Sequence, residues 1–187
     1  MELSLHTEFM RSKAVSRVAG VAVFVVLSML GAFVRIPIPG SPVPLTLQTF
    51  FVLLSGACMG RRMGAASQIC YVLLGIAGLP IFSQAGSGML YLAGPTGGYL
   101  AGFVAASFMA GSLAPRIKTR AGLFILFCGA GMVILCCGTL WLAFTLALPP
   151  LKALYSGLLV FMPGDAAKAY AAACVYHAIR KRCAELF

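Results

Sequence analysis

PGDAAKAYAAACVYHAIRKR (residues 163–182) is the stretch on which the fold turns. Proline suits the first turn of a helix and breaks an interior, so a helix starts near Pro163. Nothing interrupts it before Arg182. About 20 residues at 1.5 Å each give roughly 30 Å, the thickness of a bilayer's hydrocarbon core. The helix ends in Arg180, Lys181 and Arg182, the basic flank expected on a cytoplasmic face. Asp165 falls in its first turn, where the helix dipole favours a carboxylate. Lys168 lies one turn deeper on the same face. A lone charge within a bilayer costs several kcal/mol, so both side chains must face a bundle interior or a water-filled cavity.

The rest of the chain has the composition to match. Of its 187 residues 61% are hydrophobic and 10% are charged, with a mean hydropathy of +0.99. Soluble domains carry about 25% charged residues. A net charge of +10 would point to nucleic acid in a soluble protein. Here the basic residues sit in short clusters between apolar runs, where they set topology or meet anionic lipid heads. No nucleic-acid partner is expected. The length suits one membrane domain over residues 1–187. Within it, residues 1–13, which begin MELSLHTEF, form either a short interfacial segment or a tail.

Working outward, apolar segments run over about 14–34, 45–59, 64–82, 97–113 and 121–148, before the last region at 151–179. RIPIPGSPVP (residues 35–44) cannot continue a helix, with Pro37, Pro39, Pro42 and Pro44 in it. No small-residue cleavage site precedes it, so the first segment is expected to remain as a helix. SQAGSG and AGPTGG bracket MLYL between the third and fourth segments. LKALYSGLLVFM (residues 151–162) is expected to lie over the outer end of the bundle.

With six crossings, Arg11, Lys13, Arg17, Arg61, Arg62, Arg116, Lys118, Arg120, Arg180, Lys181 and Arg182 all fall on one side. The other side receives Arg35 and Lys152. The expectation is a multi-pass protein of the cytoplasmic membrane with both termini in the cytoplasm. The second and third segments are short for spans, which take about 17–25 residues. A re-entrant hairpin is the alternative, but it would put Arg61 and Arg62 near the bilayer centre at about 2.5–3.5 kcal/mol each. Two crossing helices avoid that cost.

Enzyme signatures are missing. Glu2, Glu8 and Glu185 sit near the termini, and neither His6 nor His177 has an acid beside it in sequence. No carboxylate pair, Ser/His/Asp set or metal cluster can be assembled, so no catalytic or metal-binding residue is assigned. The seven cysteines show no CxxC and read as small apolar residues. GPTGGYLAGF (residues 94–103) lacks the lysine of a phosphate loop, and no other stretch fits that pattern. Gly97, Gly98 and Gly102 read instead as a helix face that permits close approach.

What remains is a set of polar groups on the outer half: Gln48 between Thr46 and Thr49, Arg35 in the proline loop, and Tyr91, Thr96 and Tyr99 around the glycine turn. Taken with Asp165 and Lys168, they admit two readings. One is an ion pair that holds helices together. The other is a site for a ligand needing both an acceptor and a donor, capped by a mobile outer loop.

Four stretches together carry a resemblance: PGSPVPLTLQTFFVLLSGACMG (39–60), YVLLGIAGLPIF (71–82), GPTGGYLAGF (94–103) and MPGDAAKA (162–169). In this order and spacing, over residues 15–179, the chain resembles the BioY biotin transporters. These are substrate-binding S components of energy-coupling-factor (ECF) vitamin importers. The resemblance implies an all-α integral membrane protein, a six-helix bundle whose outer loops cap a ligand pocket. It implies that Asp165 accepts from a ureido N–H of biotin and that Lys168 donates to the ureido oxygen. Gln48 matches the family's glutamine, and Arg35 is the candidate partner for the carboxylate tail. Tyr71, Tyr91 and Tyr99 are expected in the wall, with Gly94 at the head of the glycine signature completing the set. The resemblance also implies a transmembrane coupling subunit and two ATPase subunits as partners, with self-association as the alternative. ATP would then enter only through those partners, and the chain would carry no cofactor. The family's docking pattern on the first helix is Ala-xxx-Ala; here Ser16 and Gly20 take those places. A transporter for another vitamin, a solitary transporter, and a membrane-embedded enzyme or helper protein are the rival readings.

Overall fold

In lipid every backbone N–H and C=O must find its partner within the protein, so apolar runs of this length fold as helices. The computed structural model describes the backbone of residues 2–187 and the side chains of residues 13–187. The expected interfacial character of residues 1–13 concerns side chains that, Lys13 apart, lie outside that range. Helix α1 spans Glu2–Phe33 and is followed by two short strands, β1 (Arg35–Ile36) and β2 (Leu45–Thr46). Then come α2 (Gln48–Ile76), α3 (Gly88–Ala93), α4 (Gly97–Leu113), α5 (Arg120–Thr145), α6 (Pro150–Leu154) and α7 (Met162–Leu186). Four stretches have the length and apolarity of membrane spans: Lys13–Phe33, Gly97–Arg116, Arg120–Thr145 and Pro150–Leu186.

Helix α2 supplies the other two crossings, because it is a hairpin. Gly60 breaks its helical backbone with φ 76° and ψ 172°, a left-handed φ that favours glycine. The limbs 48–59 and 61–76 run back to back. Gln68 Nε2 donates to Ser55 Oγ at 3.1 Å, and Gln48 Nε2 to Tyr71 Oη at 2.8 Å. In a straight helix these partners would stand about 20 and 35 Å apart. The limbs touch backbone to backbone: a Cβ on Gly64 would fall 2.5 Å from the Cα of Gly56. The bend packs on the far end of α4, since a Cβ on Gly111 would fall 2.5 Å from the Arg61 nitrogen. Gly111 precedes Arg116 by about 8 Å of helix. Arg61 and Arg62 are exposed there, at the same end of the bundle as Arg116. The short limbs therefore cross; they do not turn back at mid-depth.

Polar side chains tie the middle of the bundle. Ser28 Oγ on α1 donates to Gln68 Oε1 at 3.3 Å, Gln68 reaches Ser55, and Ser55 shares a 2.9 Å hydrogen bond with Ser107 of α4. Ser28, Ser55, Gln68 and Ser107 are fully buried. Interhelical hydrogen bonds of this kind are worth about 1 kcal/mol each in a membrane.

The end of the bundle away from Arg61 and Arg62 departs from an all-helical reading in two places. Residues 35–46 close as a two-stranded ribbon, Arg35 opposite Thr46 and Ile36 opposite Leu45. The Leu47 amide returns to the carbonyls of Gly31 and Val34, both at 3.1 Å, and so caps the end of α1. The third apolar segment ends at Ile76, not Phe82, because Gly78 has φ 105° and Pro80 comes soon after. Residues 150–159 are helical, as α6 and a π-helical turn at Tyr155–Leu159, and a turn at 160–161 leads into α7.

Candidate functional site

Pro163 stands in the first turn of α7, and the Asp165 amide closes that turn on the Phe161 carbonyl at 2.9 Å. Lys168 is one turn further on, and the two side chains form an ion pair through Nζ and Oδ1. Both are 11% exposed. The lysine has two further acceptors from the ribbon and α2: the Thr46 carbonyl at 2.8 Å and Thr49 Oγ1 at 2.9 Å. Thr49 in turn donates to Asp165 Oδ1 at 3.3 Å. All three donors of the ammonium are thus engaged. Apart from Lys168 and Thr49 the carboxylate has no hydrogen-bond partner among the described residues, so Oδ2 keeps capacity to accept.

Gln48 stands beside this cluster with its amide oriented. Tyr71 Oη donates to the Ile81 carbonyl at 2.8 Å, so its oxygen must accept, and it accepts from Gln48 Nε2. Gln48 Oε1 then takes the Thr46 hydroxyl at 3.2 Å. The other amide hydrogen of Gln48 has no acceptor among the described residues.

These groups form one wall of a cavity of about 540 Å³, counted to its open mouth. Thr46, Gln48, Thr49, Asp165 and Lys168 are its polar side; Leu100, Phe103, Ile134 and Phe161 are its apolar side. Tyr91 lines it from α3, and Ser83 and Thr96 from the segments on either side of that helix. Because the limbs of α2 span only about 18 and 24 Å, short of the hydrocarbon thickness, the ribbon and loops occupy the remaining depth around this space. Tyr91 forms the roof and is backed by a ring stack: Phe82 lies on it with centroids 5.0 Å apart and meets the edge of Tyr71 at 5.6 Å. Burial raises the pKa of Tyr91 above that of an ordinary phenol, with a Thr96 hydrogen bond and the nearby Arg35 charge acting the other way. Trp141 Nε1 holds the Gly94 carbonyl at 2.9 Å, and Tyr99 Oη holds the Gly157 carbonyl at 2.7 Å. These two bonds fix the turn before α4 and the π-helical turn before α7.

Of the residues singled out in the sequence, Asp165, Lys168, Gln48, Tyr91 and Tyr99 come together on this cavity. Tyr71 does not line it. It is fully buried one layer behind, where it orients Gln48. Gly94 also stands outside the lining, held by Trp141. Arg35 is exposed on β1 beside Tyr91 and lines no part of the cavity. Ser16 and Gly20 lie at the other end of the bundle. They line an open groove of about 810 Å³ between α1, α2 and α7, together with Cys58, Cys183 and Phe187. Phe187 covers Gly20 so closely that a Cβ there would fall 2.5 Å from its ring. Sequence reasoning did not assign Thr49, Ser83 or Trp141 to the site. Thr49 was within reach, as the third polar residue of Thr46-Leu47-Gln48-Thr49 in an apolar stretch; Ser83 and Trp141 carry no local signal.

Comparison with known proteins agrees across sequence and structure. Residues 5–185 match the sequence model of the BioY family. The chain is 37% identical over 166 residues to the probable biotin transporter BioY of Pyrococcus horikoshii, covering 89% of this chain and 95% of that one. It is 29% identical over 182 residues to the biotin transporter BioY of Lactococcus lactis, covering 94% and 95%. A crystal structure of the S component for biotin from an ECF-type ABC transporter superposes with a TM-score of 0.84 at 27% identity, covering 90% of this chain and 92% of that one.

Proposed function

The chain belongs to the BioY family, and from that premise we propose that it binds biotin with high affinity and takes it across the membrane as the S component of an ECF-type importer. It is a transport protein and not an enzyme. The observation that carries the reading is the Asp165–Lys168 pair on the wall of a cavity, with acceptor capacity left on the carboxylate.

Biotin presents a ureido ring with two N–H donors and one carbonyl, a thioether ring, and an acid tail. Asp165 Oδ2 accepts from a ureido N–H. Lys168 holds that carboxylate in place. Its expected bond to the ureido oxygen requires it to release one of its three present acceptors, whereas the free amide hydrogen of Gln48 can reach that oxygen with no such exchange. Tyr91, Tyr99 and Phe161 supply the apolar surface for the rings. Arg35, exposed beside Tyr91, is the proposed partner of the tail. A prearranged pair in a site of low dielectric needs little reorganisation on binding, which favours tight association.

The whole chain is proposed to act as one membrane domain in the cytoplasmic membrane, its termini and Arg61, Arg62 and Arg116 inside. Transport would be driven by a transmembrane coupling subunit and two ATPase subunits, with no cofactor in this chain. The groove lined by Ser16 and Gly20 supports that docking, and self-association would use the same face. Calorimetry on the purified protein tests the core of the reading. Saturable nanomolar biotin binding that is lost in Asp165→Asn is expected. Competition by another vitamin with no competition by biotin refutes it.

A further inference from the structure

Ser83 is 6% exposed and lines the cavity, yet its hydroxyl has no hydrogen-bond partner among the described residues. Buried hydroxyls are nearly always partnered, because an unmet one costs stability. The turn that carries it is strained as well. Gln84 and Ala85 come next with φ 63° and 56°, two successive non-glycine residues in the left-handed region. Two backbone bonds close the turn, Phe82 N to Gly86 O at 3.1 Å and Gly86 N to Ser83 O at 3.2 Å. It cannot relax by swinging outward, since Phe82 is fully buried between Tyr71 and Tyr91. Strain and an unmet hydroxyl at one turn over one cavity mark a group held ready for something the cavity receives.

The groups around the cavity with hydrogen-bonding capacity to spare include Asp165 Oδ2, an acceptor; one Gln48 amide hydrogen, a donor; and Ser83 Oγ, able to do either, while the Tyr91 and Thr96 hydroxyls bond each other. Ser83 is on the Gln48 side. Two residues before it, the Ile81 carbonyl takes Tyr71 Oη, which takes Gln48 Nε2, each at 2.8 Å. A ureido edge reads N–H, C=O, N–H. We propose that Ser83 Oγ accepts the second ureido N–H, completing a three-point clamp with Asp165 on the first N–H and Gln48 on the oxygen. This rests on the biotin reading above. It also makes Ser83, through its turn, the link between a filled cavity and a closed roof.

The test compares wild type with Ser83→Ala for thermal stability without ligand and for affinity toward biotin and toward biotin methylated on one ureido nitrogen, each of the two isomers in turn. The expected loss of biotin affinity in Ser83→Ala is about tenfold, the scale of one hydrogen bond. Its ligand-free melting temperature should be equal or higher, because an unmet hydroxyl has been removed; a merely structural serine would lower it. One methylated isomer should lose affinity for wild type and be bound equally by both proteins. Wild-type biotin affinity in the variant overturns the proposal, and so do isomers that both discriminate wild type from variant as biotin does. Ser83→Gly removes the same hydroxyl if the alanine variant does not fold. If wild type itself ignores biotin, the parent reading falls and takes the clamp with it; tight wild-type binding with an unaffected variant sinks the clamp alone.

Discussion

Asp165→Asn removes the charge that balances Lys168 while nearly preserving shape. Both side chains are 11% exposed, so little water can replace the lost carboxylate. The ammonium keeps the Thr46 carbonyl at 2.8 Å and Thr49 Oγ1 at 2.9 Å, two neutral acceptors. Breaking a buried pair from one side costs about 3–5 kcal/mol. The retained acceptors put this case at the lower end, about 3 kcal/mol. For a chain of this length 1 kcal/mol moves the melting temperature by about 2–4 °C, so a fall of roughly 6–12 °C is expected. Lys168→Met should cost a similar amount, since it leaves a carboxylate with the Thr49 hydroxyl at 3.3 Å and little else. The double variant Asp165→Asn/Lys168→Met removes both charges. Replacing a whole buried pair is often neutral or stabilising, so the double variant should melt above either single one. It should not regain biotin binding. Thermal unfolding of the purified protein in detergent, with and without biotin, reads both quantities. A single variant that melts with wild type, or a double variant that melts at the sum of the two losses, would refute the balance of desolvation and attraction used here.

The bundle itself sets three further outcomes. Gln68→Leu leaves the Ser28 hydroxyl without its acceptor and removes a donor from Ser55, so thermal unfolding should show a loss of about 1–2 kcal/mol with biotin affinity unaltered. Gly64→Ala drives a Cβ into the backbone of Gly56, which cannot give as a side-chain tip can; about 1–3 kcal/mol should be lost, and an unchanged melting temperature would mean the hairpin limbs are not in contact. Trp141→Phe deletes the bond to the Gly94 carbonyl, about 1 kcal/mol, and should speed biotin release about fivefold in a labelled-ligand chase. Equal release rates would show that this turn does not help to close the roof.

Asp165 and Lys168 were legible because a bilayer penalises charge, so any ionisable pair inside an apolar helix must point inward. The crossings of α2 were legible for the same reason: Arg61 and Arg62 cannot sit at mid-depth at low cost. The partners of those charges were not. Thr49 and Lys168 are 119 residues apart, and no local pattern says that the N-terminus of one hairpin limb meets the first turn of α7. Tyr71 misled by type. A tyrosine near a proposed pocket reads as wall, but its hydroxyl has a second use, orienting Gln48 from behind. The network of Ser28, Ser55, Gln68 and Ser107 was invisible because small hydroxyl residues in apolar helices can satisfy themselves on their own backbone. Ser55 does so with the Val52 carbonyl at 2.7 Å while also pairing across to Ser107.

The same limit applies at the opposite end. Ser16 and Gly20 stand four residues apart on α1, a spacing that can be read from sequence as a face for close helix approach. That Phe187 would lie over Gly20 could not be read, since the two are joined by no periodicity. The consequence is physical. A partner helix that packs on Gly20 at backbone distance must first displace an aromatic ring, and it inherits the apolar groove between α1 and α7 that the ring partly fills. Under the proposed docking a partner's affinity for this face would be reduced by whatever Phe187 gains by lying there.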